Sequence, residues 1–111
     1  MRALIEKLCS ARTGSRDLDE EVAGAIGAPD MGGMLGEEIN ERYGPFYPAF
    51  TTSVDAVKKR VNQTWEWNLS KSNDGQHTAC FIVRGDAFPA MAATPELAFC
   101  AAWLKAIRCT A

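Results

Sequence analysis

The amino-acid sequence predicts an α+β domain of two layers, an antiparallel three-stranded meander packed by N-terminal helices and a C-terminal helix. Three observations carry this expectation. Trp65, Trp67 and Leu69 alternate with Glu66, Asn68 and Ser70, the period of two of a strand with one wet face. Asn73-Asp74-Gly75 follows as a hairpin turn, and Thr78 to Val83 returns as a second run of β-formers. Thr94-Pro95-Glu96 then opens a helix in the expected order: a capping hydroxyl, a proline with no N–H to lose, and an acid facing the positive helix end.

Length and composition set the frame. With 111 residues, 47% of them apolar and 23% charged, the chain is expected to fold as one domain spanning 1–111 around one core. A net charge of -2 provides no global field for a polyanion, which argues against nucleic acid or an anionic membrane as partner. The first apolar stretch, Leu4 to Leu8, is interrupted by Glu6 and Lys7, and no long apolar run follows, so a cytoplasmic location is expected. Cys9, Cys80, Cys100 and Cys109 are dispersed and form no C-x-x-C pair. They are read as reduced thiols acting mostly as small hydrophobes, with Cys109 near the chain end exposed.

The elements run in order. Leu4, Ile5 and Leu8 share one face of a short helix from Ala3 to Ala11, which Gly14 and Ser15 interrupt. Asp17 is placed to cap a second helix, with Leu18, Val22, Ala25 and Ile26 at helical spacing, and Gly27 followed by Pro29 stops it. Thr52 or Ser53 caps a third helix of about two turns, with Val54, Val57 and Val61 facing inward. Beyond the hairpin, Gly85-Asp86 reads as a turn and Phe88 to Ala93 as a third strand, with Pro89 at a sheet edge or a strand start. In the last helix Leu97, Cys100, Ala101, Leu104 and Ile107 make a broad apolar face.

Between Pro29 and Ala49 the composition turns rich in glycine and proline, and the segment reads as a loop or insertion. Met34, Leu35, Phe46, Tyr47 and Phe50 in and beside it are a candidate surface for protein contact, because a core of this size has limited room for them.

Three of these segments together resemble the phage ABA sandwich domain, a family of small phage and prophage proteins. The matching stretches are Arg16 to Ala23 with Ala25, Ile26 and Gly27, then Phe50 to Ala56, then Ala93 to Ala98 with Ala101 and Ala102, with the tryptophan hairpin between the second and third. The resemblance spans most of the chain except Pro29 to Ala49, and Trp103 is bulkier than the small residue expected there. It implies helices on an antiparallel sheet and a gene of phage origin, and it carries over no catalytic residues.

Chemistry-bearing patterns are few. His77 and Cys80 lack a second ligand pair, and Asp17, Asp19, Glu20 and Glu21 read as acids stabilised by a helix start, so no metal or cofactor is expected. Gly32-Gly33-Met34-Leu35-Gly36 lacks the Lys-Ser/Thr of a phosphate loop, and no nucleophile elbow is present. Lys58, Lys59 and Arg60 with Lys71 and Arg84 are the candidate basic stripe for nucleic acid, whereas Trp65 and Trp67 read first as core anchors. The expectation is a non-catalytic accessory protein acting through protein contact, as monomer or homodimer, with a nucleic-acid-binding module as the alternative.

Overall fold

The computed structural model describes residues 2–26, 50–61, 63–72 and 74–110. Helices α1 (Arg2–Ser10), α2 (Arg16–Ala25) and α3 (Val54–Lys58) precede strands β1 (Glu66–Lys71), β2 (His77–Val83) and β3 (Asp86–Ala92), and helix α4 (Pro95–Thr110) ends the order. The strands form an antiparallel sheet in the order β1-β2-β3, covered on one face by the helical layer. This is the expected two-layer α+β meander. The loop expected at 29–49, with Met34, Leu35, Phe46 and Tyr47, lies outside the described residues.

Helix α4 organises the core. Thr94 Oγ1 accepts from the Leu97 N–H at 3.1 Å, and its carbonyl accepts from Ala98 N–H at 3.0 Å, so the cap is the expected one. The burial is broader than one face. Every residue from Leu97 to Leu104 is buried, including Phe99 and Trp103, because the sheet covers one side of the helix while α1 and α3 pack elsewhere around it. A helix apolar all round is a core helix. Ala98, Ala101, Ala102 and Ala106 keep its girth small enough for these neighbours.

The cap of α2 is Ser15, two residues earlier than Asp17: its Oγ accepts from Leu18 N–H at 3.2 Å, and its extended backbone (φ -153°, ψ 165°) leads into the helix. Asp17 and Asp19 therefore both lie in the first turn. Asp19 is buried, not wet. Its Oδ1 accepts from the Thr51 N–H at 2.8 Å and from the Thr51 hydroxyl at 2.6 Å, while Thr51 Oγ1 accepts from Ser15 N–H at 3.0 Å. Gly14 is needed beside this clasp, since a Cβ there would stand 1.9 Å from the Thr51 carbonyl oxygen.

Ser53 caps α3 through its Oγ, which accepts from Ala56 N–H at 3.4 Å; Val57 is buried, and Val54 and Val61 are half-buried. At five residues the helix is shorter than two turns. The turn between β2 and β3 is Arg84-Gly85, one residue earlier than Gly85-Asp86, because Asp86 already pairs with Val83. Both turn residues have positive φ (52° and 86°), as a type I′ hairpin requires. In the other hairpin Gly75 has φ +87°, and Asp74 Oδ1 accepts from Ser72 Oγ at 2.5 Å and Gln76 N–H at 3.0 Å. The Ser72 hydroxyl and then the Gln76 N–H hold the Asp74 carboxyl below its ordinary range.

Two substitutions test this account by urea denaturation. Asp19→Ala leaves the buried Thr51 N–H without its acceptor and should cost about 2–4 kcal/mol. Arg84→Asn places a residue that tolerates left-handed backbone in the turn and should add about 0.5 kcal/mol.

Candidate functional site

The two edges of the sheet differ. On β3, Pro89 has no N–H to offer, and Lys105 Nζ donates to the Pro89 carbonyl at 2.6 Å, so the middle of that edge is occupied as the proline anticipated. On β1, the run Glu66 to Lys71 contains neither proline nor glycine and pairs with β2 alone among the described residues. No described residue pairs with its other side, which is where an edge strand carries unpaired backbone groups.

Beside this edge lies a shallow groove of about 250 Å³, lined by Lys58, Val61, Gln63, Trp65 and Trp67. The odd positions of β1 face the helical layer, so both tryptophans point the same way, and Trp67 stands opposite Phe81. They reach the core by their edges: Trp65 meets Phe81 at 6.3 Å and Trp67 meets Phe99 at 5.0 Å, both T-shaped, and Phe81 and Phe99 are 4.9 Å apart. Neither tryptophan is a fully buried anchor. Trp67 is 39% exposed and Trp65 is half-buried, because α4 lies mainly over β2 and β3 and reaches β1 little. The groove can therefore accept an apolar or aromatic side chain next to a strand edge.

The candidate basic stripe does not assemble. Lys58 is exposed but lies over the Trp67 ring, its Nζ 4.7 Å from the centroid, so it already occupies a face on which a base would stack. Lys71 pairs with His77 at one end of the sheet, whereas Arg84 is in the turn at the opposite end, beyond the Glu66–Ile82 pair. Lys59 and Arg60 are exposed after α3. Of the candidate protein-contact residues, Phe50 is fully buried against Trp103, with ring centroids 5.7 Å apart, so it belongs to the core and not to a contact surface. The β1 edge was legible as a strand with two tryptophans on one face; its position at the edge of the described sheet was not.

All four cysteines are free thiols. Burial pushes the Cys100 thiol well above its ordinary range, and the nearby Asp19 charge adds to this. Burial also raises Cys9, with Lys105 opposing. Cys109 is exposed, as its position near the chain end suggested. Among the described residues there is no group of three or more His, Cys, Asp or Glu that could hold a metal ion, and no helix long and apolar enough to cross a membrane.

Iodoacetamide on the native protein should modify Cys109 first and Cys100 only on unfolding, read by peptide mass mapping. The sign of the pH effect follows from the raised Cys100 value. Above about pH 8.5 the unfolded chain releases this proton while the folded chain keeps it, so stability falls by up to about 1.4 kcal/mol per pH unit for this group. Thermal melts above that pH should decline more steeply for the wild type than for Cys100→Ala.

Compared with protein-family models, with curated proteins and with solved structures, the chain matches none.

Proposed function

We propose that the chain is a non-catalytic accessory protein that works by protein contact, receiving an extended polypeptide segment at the open edge of β1. The observation that carries this reading is the pairing of an edge strand free of proline with an aromatic groove in which Trp67 is 39% exposed. Backbone groups of the edge supply affinity in strand addition, and pockets beside it choose side chains. Trp65 and Trp67 would take an apolar side chain of the added strand, and the bound segment would be a second copy of this chain or another protein. The resemblance of the capping segments to the phage ABA sandwich domain supports a phage or prophage origin and a cytoplasmic place of action.

Selection from a library of unstructured peptides tests the reading. Enriched peptides should alternate apolar and polar residues and perturb tryptophan fluorescence, and Trp67→Ala should weaken them by about thirtyfold. Peptides whose affinity ignores Trp67 would refute this site. Titration with a single-stranded oligonucleotide at low salt should leave the fluorescence unchanged, and a salt-sensitive quench would favour the nucleic-acid alternative.

A further inference from the structure

A second groove, of about 350 Å³, lies between α1 and α4, away from the tryptophans. Its wall on α1 is Arg2, Ile5, Glu6 and Cys9, and its wall on α4 is Lys105 and Arg108. These are residues three, four and seven apart on one helix and three apart on the other, so each set forms one stripe and the two stripes face each other. The floor is apolar: Ile5 is 5% exposed and the Cys9 thiol is half-buried. The rim is basic. Three cations and one carboxylate line the groove on a chain whose net charge is -2.

Among the described residues Glu6 alone offsets this charge within the groove. Lys7 pairs with Glu21 at 2.8 Å, but neither Arg2 nor Arg108 has an ion pair to a described residue, although Glu6 lines the same groove. Lys105 gives one N–H to the Pro89 carbonyl and keeps two donors. Three cations against the one Glu6 carboxylate leave an excess of positive charge that a further anion would relieve. The volume lies at the lower end of the range for small-molecule sites, about 300–1,000 Å³.

The geometry points to a binding site for a small organic acid, its carboxylate between Arg2 and Arg108 and its apolar body against Ile5 and Cys9. Lys105 lines the same groove and adds a third cation. The site shares no lining residue with the β1 edge, so the two are independent.

Calorimetric titration of the full chain at low ionic strength, with octanoate as the probe and acetate, 1-octanol and inorganic phosphate as comparisons, tests the assignment. Octanoate should bind saturably and about tenfold or more tighter than any of the three, and Arg2→Gln/Arg108→Gln should weaken it by about tenfold or more. Both arginines are exposed, so the variant should melt at the wild-type temperature. Saturating octanoate should also slow alkylation of Cys9 while leaving Cys109 unchanged. Absence of saturable octanoate binding, unchanged affinity in the double variant, or equal binding of phosphate or octanol would each overturn the proposal, as would unprotected Cys9.

Discussion

The clasp between Asp19 and Thr51 fixes how the two halves of the helical layer meet. Asp19 sits on α2 and Thr51 just ahead of α3, 32 positions apart in sequence, and the carboxylate holds both the N–H and the hydroxyl of Thr51. A buried carboxylate is tolerated only when donors replace its lost water, and two short bonds from one residue do so here. The bond also sets where Phe50 enters the core against Trp103 and where Val57 meets α4. Gly14 belongs to the same junction, because the backbone before α2 approaches Thr51 too closely for any side chain. Closing a chain segment of this length costs conformational entropy, which such contacts must offset.

Helix α4 spreads that constraint through the molecule. Its Phe99 continues an aromatic path from Phe81 to Trp67 at the sheet edge, and its far end supplies Lys105 and Arg108 to the groove against α1. One rigid element thus backs both surfaces that are chemically distinctive. The sheet is asymmetric for a related reason: Lys105 reaches across to the Pro89 carbonyl on the β3 edge, while no described residue pairs with the outer side of β1.

Local signals were legible where local physics decides. The Thr94 cap, the Ser53 alternative for α3, the Gly75 turn and the alternation through Trp67 all emerged from the sequence, because a cap or a turn is settled within a few residues. The misplacements were also local in scale. Ser15 and Asp17 are both competent caps, and only the backbone decides between them; Arg84-Gly85 and Gly85-Asp86 both resemble turns, and strand register chooses the first.

Sequence by itself determined the class of this protein: a meander, the helices around it and a long capped C-terminal helix, since periodicity and capping chemistry act between neighbours in the chain. Tertiary structure alone decided which side chains meet water. Asp19 looked like its exposed neighbours Asp17 and Glu20 until Thr51 arrived from another segment, and Phe50 looked available until Trp103 covered it. Likewise Arg2 and Arg108, at opposite ends of the sequence, share a groove only because α1 packs on α4, while Lys71 and Arg84 are parted by the length of the sheet. Burial and charge proximity are properties of packed surfaces, and a linear pattern carries them only when the contacting residues are also near in sequence.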